Sequence, residues 1–363
     1  MAYNRNQPFN DLPALPPEVD IETPEILRHL AKASRKLGEL NGLCASLPEP
    51  QLLIHTIVLQ ESKNSSAIEN IVTTQDELYK AAAETESASY AAKEVLSYRE
   101  ALYRGLSRMA DQQNLLLTNT VIEIMQTIKQ TNAGIRNTPG TALKNAVNGE
   151  VVYTPPCCED VLIEKLNALE RFINDNTLSE LDPLIKMALI HYQFEAIHPF
   201  ADGNGRTGRI LNALYLVQQG LLTQPVLYLS SYIVKYKLEY YQLLRGVTEQ
   251  QNWQDWIMYI LTAVTETAEL TTEKIRKMLE LKQELETESK IALGSSYSYD
   301  LLQLMFKLPY LKIELLEKSG LAHRQTASVW LKKLTGAHIL TPQKVGRTTY
   351  YINHKLMNLL SKD

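Results

Sequence analysis

The sequence of 363 residues predicts a mainly α-helical protein that carries one short β-hairpin and ends in a small unit of helices and strands. Apolar residues recur three or four positions apart in most segments, which is the spacing of amphipathic helices. One Asn-Gly dipeptide, at residues 148–149, lies between short apolar runs and is typical of a hairpin turn. A Gly- and Ser-rich stretch at residues 294–298 predicts a linker before a last part of different charge.

The first helix signal follows a proline-rich N-terminus. Residues 1–20 contain four prolines and predict an extended arm. Thr23 followed by Pro24 predicts a helix start, because threonine can cap a helix and proline suits its first turn. Asp182-Pro183 predicts a second start of the same kind. Further amphipathic helices are expected at about 49–64, 74–83, 88–109, 119–131, 161–174 and 270–290.

One segment departs from the helical pattern. Residues 146–153 predict two short strands around Asn148-Gly149, because both central positions of a type I′ turn need positive φ angles. Pro155-Pro156 then ends the second strand. The sequence therefore predicts an isolated hairpin on a helical body.

The last part of the chain has a basic character. Residues 318–355 contain seven Lys or Arg and no Asp or Glu. The pattern predicts a winged helix: helices at 313–319 and 323–334, strands at 339–340 and 348–352, and a basic tip at 344–347. Two uses are open for residues 313–355, namely DNA binding or protein contacts and dimerisation.

Composition excludes several classes of protein. The formal net charge is −4, which implies no global affinity for nucleic acid or an anionic membrane. Three cysteines without a Cys-x-x-Cys pair predict neither a disulfide framework nor a zinc site. No signal peptide and no membrane-spanning run is recognised, so we expect a cytoplasmic protein without a membrane partner.

Twelve consecutive residues, 198–209, combine a base, a carboxylate, a glycine-rich turn and two arginines. The glycines and the following helix start direct backbone N–H groups one way, which predicts a cradle for a polyphosphate anion. Arg206 and Arg209 can add charge-assisted contacts to phosphate. Asp202 can hold Mg²⁺ beside those phosphates, and His198 is suited to take a proton near neutral pH.

This segment resembles the signature of the Fic family, H-x-F-x-D/E-G-N-G-R-x-x-R, and residues 191–197 resemble the family's preceding helix. The resemblance implies transfer of AMP from ATP to a Tyr, Ser or Thr hydroxyl of a protein, with His198 as the base and Asp202 binding Mg²⁺. The nucleotide-binding residues that it implies are Gly203, Asn204, Gly205, Arg206, Thr207, Gly208 and Arg209. It also implies a Fic helical core at 113–285, an N-terminal helical region at 1–112 and the winged helix at 286–363. The predicted hairpin resembles the Fic flap, which holds an extended target segment, although it could merely decorate the fold.

Ser65-x-x-x-Glu69-Asn70 resembles the inhibitory motif S/T-x-x-x-E-G/N of many Fic proteins, here expected on a short helix. By this resemblance Glu69 pairs with Arg209 and takes it away from the γ-phosphate of ATP, which misaligns the α-phosphate. An ordinary solvent-facing glutamate on a helix is the alternative.

Residues 230–241 resemble a helix on the nucleotide side of the family, where Lys235 is either a nucleotide contact or part of a solvated face. Three functions are open at this point: a self-inhibited protein adenylyltransferase, a Fic enzyme that removes AMP with Glu69 activating water, and a DNA-binding regulator whose Fic module senses nucleotide. A homodimer is also compatible with the sequence.

Overall fold

The computed structural model describes residues 3–47, 50–83, 89–138, 140–145, 148–346 and 348–361. Its helices are α1 Pro24–Ala45, α2 Pro50–Ile68, α3 Gln75–Ala83, α4 Tyr90–Asp111, α5 Thr118–Lys129, α6 Glu159–Asn174, α7 Pro183–Ile197, α8 Asn204–Gln218, α9 Ser230–Lys235, α10 Lys237–Gln250, α11 Trp253–Leu293, α12 Tyr299–Lys307, α13 Ile313–Lys318, α14 Arg324–Gly336 and α15 His354–Ser361. Its strands are β1 Leu143–Lys144, β2 Val151–Tyr153, β3 Tyr310–Leu311, β4 Thr341–Val345 and β5 Thr348–Ile352. The mainly helical fold is confirmed.

The two proline-marked helix starts are formed as expected. The Thr23 hydroxyl accepts a hydrogen bond from the Ile26 N–H at the start of α1. The Asp182 carboxylate accepts one from the Leu184 N–H at the start of α7, at 2.8 Å. Each cap satisfies a backbone donor that the first helical turn leaves without an intrahelical partner.

Helix α7 lies at the centre of the fold. Every residue from Leu184 to Phe194 is buried, so this helix is surrounded by others rather than lining one side of a core. Its neighbours include α8, α6, α11 and α1. The signature segment begins where this buried helix ends, so His198 is held by a well-packed element.

The predicted hairpin is present, but its turn differs from the expectation. β1 and β2 pair antiparallel with Leu143 opposite Tyr153, and the Asn145 N–H donates to the Glu150 carbonyl at 2.9 Å. Four residues therefore separate the closing pair, and the two-residue type I′ turn is wrong. The first strand lies at 143–144, whereas the residues expected to form it, 146 and 147, lie outside the described part of the chain.

The C-terminal unit contains a three-stranded antiparallel sheet in the order β3-β5-β4. The predicted strand at 348–352 and the two predicted helices before it are confirmed. The strand expected at Ile339-Leu340 is wrong, because these buried residues follow α14 and anchor it to the core before β4 begins. Lys344 and Val345 pair within β4 rather than lying at the tip, and residue 347 lies outside the described residues.

The C-terminal unit packs against the rest of the protein. Helix α11 runs unbroken through residues 285 and 286 and contacts α1, α12, α14 and α15. The Thr56 hydroxyl of α2 donates to the Phe306 carbonyl at 3.5 Å, and the Gln75 amide donates to the Leu360 carbonyl at 3.1 Å. The expected linker is a short turn at Gly294–Ser296, and the domain boundaries stay a prediction. No described helix has the length and apolar character needed to cross a bilayer.

Candidate active site

His198 ends helix α7 in the left-handed conformation, with φ 49° and ψ 57°. Its N–H donates to the Phe194 carbonyl at 3.0 Å. The Arg136 guanidinium donates to the His198 carbonyl at 2.8 Å and to the Pro156 carbonyl at 2.5 Å. Burial, followed by the charge of Arg136, lowers the pKa of His198 to about 4. The imidazole is therefore neutral near pH 7 and able to accept a proton.

Arg136 was not among the predicted site residues. Besides the bonds of its side chain, its backbone N–H donates to the Pro199 carbonyl at 2.9 Å. It thus joins the base of the hairpin to the start of the signature loop. Nothing in the local sequence around residue 136 marks this role, because the partners are backbone carbonyls 20 and 62 residues away along the chain.

The loop from 200 to 204 is closed by Asn204. Its side-chain oxygen accepts from the Phe200 N–H at 2.9 Å, and its amide donates to the Phe200 carbonyl at 2.7 Å. Gly203 has φ +88°, which permits the turn directly before α8. The N–H groups of 204–206 belong to the first turn of α8 and have no intrahelical acceptor, which forms the expected anion cradle. The Asn204 side chain thus shapes this loop, and its predicted contact with the nucleotide stays a prediction.

Two signature glycines have side-chain atoms of other residues packed closely against them. A Cβ at residue 205 would lie 2.3 Å from Oε1 of Glu69 and 2.9 Å from Nη1 of Arg209. A Cβ at residue 208 would lie 2.7 Å from Oε1 of Glu195. The carboxylate of Glu69 therefore sits directly against the glycine turn, in the space above the cradle.

Arg209 is held by the segment that resembles the inhibitory motif. Its Nε donates to the Ser65 hydroxyl at 2.8 Å, and its Nη2 donates to the Ser65 carbonyl at 3.0 Å and to Oε1 of Glu69 at 2.9 Å. The Arg209 side chain is 2% exposed and that of Glu69 is 35% exposed. Burial is the largest single effect and lowers the pKa of Arg209, but the neighbouring acidic groups, with Glu69 first among them, together outweigh it and the net pKa is raised. Ser65 lies in the last turn of the long helix α2, so the expected separate short helix is wrong.

A lysine that was not predicted anchors the end of α2. The ammonium of Lys237 donates to the Ile68 carbonyl at 2.6 Å and to the Asn70 side chain at 3.4 Å. A cation is favourable at a helix C-terminus, where the carbonyls lack intrahelical donors. Lys235 lies over the ring of Tyr236, with its Nζ 4.9 Å from the ring centroid, and its contact with the nucleotide stays a prediction.

Asp202 and Arg206 belong to a charged network that includes two unpredicted residues. Nζ of Lys129 lies 2.7 Å from Oδ2 of Asp202 and 3.0 Å from Oε1 of Glu94. Nη1 of Arg206 lies 3.4 Å from Oε2 of Glu94. Arg206 is fully buried, and its Nε and Nη1 make no hydrogen bond within the described part of the chain. Nη1 therefore faces Glu94 without a hydrogen bond, and Nε has no hydrogen-bond partner among the described residues.

The donor set at Asp202 fits a magnesium ion that arrives with a phosphate ligand. Mg²⁺ commonly uses one or two carboxylates together with substrate phosphates and waters. The Asp202 side chain is 66% exposed, and a cation, the Lys129 ammonium, already contacts it. Among the described residues, no group of three or more His, Cys, Asp or Glu could hold a metal by itself.

Two buried carboxyl groups lie close to Arg209. Burial raises the pKa of Glu61 to about 7, although Ser230 and Tyr98 donate hydrogen bonds to it. Burial also raises the pKa of Glu195 to about 7, and its Oε1 has no hydrogen-bond partner among the described residues. Arg209 therefore sits among three carboxyl groups, of which Glu69 makes the direct contact.

A helical core with a buried central helix, a hairpin and this loop defines the Fic class of fold. Three family models match the chain: "Fic/DOC family N-terminal" over residues 27–107, "Fic/DOC family" over 115–216 and "Protein adenylyltransferase SoFic-like, C-terminal domain" over 281–356. The chain belongs to the Fic family.

Curated relatives match this chain over one short segment. "Protein adenylyltransferase fic-1" of Caenorhabditis briggsae is 40% identical over 68 residues, which is 19% of this chain and 13% of that protein. "Protein adenylyltransferase Fic" of Drosophila melanogaster is also 40% identical over 68 residues, or 14% of its length. The match thus spans only a small part of these curated relatives.

Solved structures support the fold over most of the chain. The crystal structure of a Fic family protein from Desulfovibrio desulfuricans G20 has a TM-score of 0.60 at 18% identity, and the match covers 93% of this chain and 98% of that one. A Fic-1 structure from C. elegans has a TM-score of 0.54 at 19% identity, covering 70% and 75%.

Proposed function

We propose that this protein is a protein adenylyltransferase whose resting state is inhibited by Glu69. The observation that carries the proposal is the contact between Glu69 and Arg209 at 2.9 Å, made directly above the glycine turn of a complete Fic signature. The charge and position of the cradle suit the phosphates of ATP, and the C-terminal family model and the curated relatives bear the name of this activity.

The proposed reaction uses the anion cradle, the two signature arginines and His198. ATP lies with its phosphates over residues 203–209, and Arg206 and Arg209 bind the β- and γ-phosphates. His198 takes the proton of a Tyr, Ser or Thr hydroxyl on the target protein. The hydroxyl oxygen then bonds to the α-phosphorus, the bond from the α-phosphorus to the bridging oxygen breaks, and pyrophosphate leaves. Mg²⁺ held by Asp202 neutralises phosphate charge when it is bound.

The hairpin supports presentation of the target. Its strands β1 and β2 form a two-stranded sheet, which leaves strand edges for an extended peptide. The Tyr153 hydroxyl donates to the Ala196 carbonyl at 2.7 Å, two residues before His198. A segment paired to this hairpin is thereby kept close to the base, which supports the use of the hairpin as a flap.

Self-inhibition acts through Arg209. While its Nε and Nη2 bind Ser65 and Glu69, these donors are taken from the γ-phosphate. The carboxylate over residue 205 further repels the phosphates. ATP then lacks the contact that orients its α-phosphorus, and a misplacement of about 1 Å can cost on the order of a hundredfold in rate.

The test is AMP transfer from ATP labelled at the α-phosphate. We expect little labelling by the intact protein and strong labelling of itself or of a target by Glu69→Gly. ATP labelled at the γ-phosphate should transfer no label, which separates AMP transfer from phosphate transfer. Glu180→Gly is the matched control, because Glu180 is an exposed loop glutamate away from the cradle. Equal labelling by Glu69→Gly and the intact protein would refute self-inhibition.

Removal of AMP is the second candidate for the same site. Glu69 lies against the cradle and is partly exposed to water, so its carboxylate could activate a water molecule there. A protein modified by the Glu69→Gly variant provides the substrate. If the intact protein releases AMP from it and Glu69→Gly does not, removal is the main activity of the resting enzyme.

The C-terminal unit supports a separate proposal of DNA binding. Arg324, Lys332, Lys333 and Lys344 are exposed on α14 and β4, the elements that correspond to a recognition helix and a wing. Mobility shifts across a range of salt concentrations test it, since phosphate contacts make binding weaken as salt rises. Sedimentation of the same protein tests the homodimer.

A further inference from the structure

The ammonium of Lys129 lies where a cation would neutralise Asp202. Its Nζ is 2.7 Å from Oδ2 of Asp202 and 3.0 Å from Oε1 of Glu94, so one ammonium bridges the two carboxylates. The two carboxylates differ in exposure: the side chain is 66% exposed in Asp202 and 8% exposed in Glu94. Lys129 therefore stands between an outer carboxylate at the cradle and an inner one on α4.

The position of Lys129 is set by the loop itself. The last residue of α5 is Lys129, and a Cβ on Gly203 would lie 3.3 Å from its Cγ. The side chain thus runs along the face of the glycine turn, and its stem is only partly exposed. The carboxylate of Glu94 also lies 3.4 Å from Arg206, so it is an established acceptor for cations in this network.

We propose that Lys129 is a positioning residue for the metal: it occupies Asp202 as an internal counter-cation and moves onto Glu94 when a divalent cation arrives with the nucleotide. The inference rests on the proposed function in one point, namely that Asp202 binds Mg²⁺. A divalent cation at Asp202 competes with Lys129, because Oδ2 holds the ammonium and Oδ1 already accepts the Gly203 N–H at 2.6 Å. Two cations a few ångströms apart on one carboxylate also repel each other, even near the protein surface.

This exchange of cations makes metal binding at Asp202 depend on the nucleotide. Without nucleotide, a divalent cation has a single carboxylate and must displace Lys129 to reach it. With nucleotide, the phosphates add negative charge and further ligands, so the cation gains enough to displace the lysine. The ammonium is already 3.0 Å from Glu94, so the displaced Lys129 keeps an anionic partner and its side chain needs little movement. The metal and ATP are therefore expected to enter together.

The experiment measures Mn²⁺ binding to the intact protein without nucleotide, from the loss of the free Mn²⁺ signal in electron paramagnetic resonance. We expect Lys129→Met to bind Mn²⁺ about tenfold more tightly than the original protein, as loss of one charge-assisted pair implies. Lys129→Arg keeps the charge and should bind as weakly as the original. Glu94→Gln should bind more weakly still, because it leaves Asp202 as the sole anionic partner of Lys129. The matched control is Lys290→Met, which removes an ion pair with Glu286 on α11 and should change nothing.

Two results would overturn the proposal. One is Mn²⁺ affinity in a folded Lys129→Met protein equal to that of the original. The other is a gain in affinity that persists after Asp202→Asn is added. If Lys129→Met does not fold, tighter binding by Glu94→Gln contradicts the proposal instead. The measurement needs no AMP transfer, so a protein that passes it and labels no target would refute the proposed function alone.

Discussion

The ion pair between Glu69 and Arg209 yields the sharpest prediction. Glu69→Gly should raise AMP transfer, and Arg209→Ala should remove that gain, because both changes act on one contact. A charge-assisted hydrogen bond contributes about 1.5–3 kcal/mol. The Glu69 side chain is 35% exposed, so water screens the pair, and roughly 1–2 kcal/mol remains. That range corresponds to a gain of about 5- to 30-fold in rate.

The assay is a double-mutant cycle on initial rates of label transfer from α-labelled ATP. If Arg209→Ala alone costs a modest factor in the resting protein, it should cost far more in the Glu69→Gly background, where the guanidinium is free for phosphate. Glu69→Gln keeps the size of the side chain and loses its charge, so it should fall between the original and Glu69→Gly. Additive effects of the two changes would refute the competition, because residues that act through one contact are non-additive. A fall in transfer with Glu69→Gly would show that Glu69 takes part in catalysis.

The remaining predictions concern the base, its environment and the support of α2. His198→Ala should lower transfer by about 10²–10⁴ and leave ATP binding intact, as isothermal titration would show, because the phosphates rest on other groups. The pKa of His198 is about 4, so kcat/KM of Glu69→Gly should stay level from about pH 8 to pH 5 and fall only below that. Arg136→Met removes a charge that lowers this pKa, so the fall should move to higher pH. An unchanged profile would argue against the electrostatic role of Arg136. Lys237→Met should raise resting transfer by a few-fold through loss of its bond to the Ile68 carbonyl, a gain that should vanish in the Glu69→Gly background. Truncation at Ser295 should leave a folded enzyme that still transfers AMP, now with weaker inhibition because contacts to α2 are lost; a folded truncation without activity would show that the C-terminal unit completes the site.

The sequence predicted the parts of the site whose residues lie together in the chain. The segment at 198–209 and the Ser65–Asn70 motif could be recognised because each has its own spacing. Arg136, Lys129 and Lys237 could not, because each is an isolated cation whose partners come from distant segments and are in part backbone carbonyls. Lys129 comes from α5, Lys237 from α10 and Arg136 from the segment between α5 and β1, so only the folded chain brings these residues to the site.

In the fold, too, features that depend on a few neighbouring residues could be predicted, whereas features that depend on distant residues could not. Helix starts were predictable because a cap and a proline act within a few residues, as at Thr23 and Asp182. The register of the hairpin was not, because Asn148-Gly149 indicates a turn but does not determine where the strands close. The two adjacent apolar residues Ile339-Leu340 predicted a strand, yet both side chains are buried core residues that follow α14.

Helix α2 connects two places that are far apart in the sequence. Thr56 contacts the C-terminal unit and Ser65 contacts Arg209, and the two residues are nine positions apart on the helix, or about 14 Å along its axis. A continuous helix moves as a rod, so a tilt at one end displaces the other by a comparable amount. A molecule that binds the C-terminal unit more tightly in one position of α2 than in the other would therefore change how often Arg209 is released. It would regulate AMP transfer from a distance, without contacting the nucleotide.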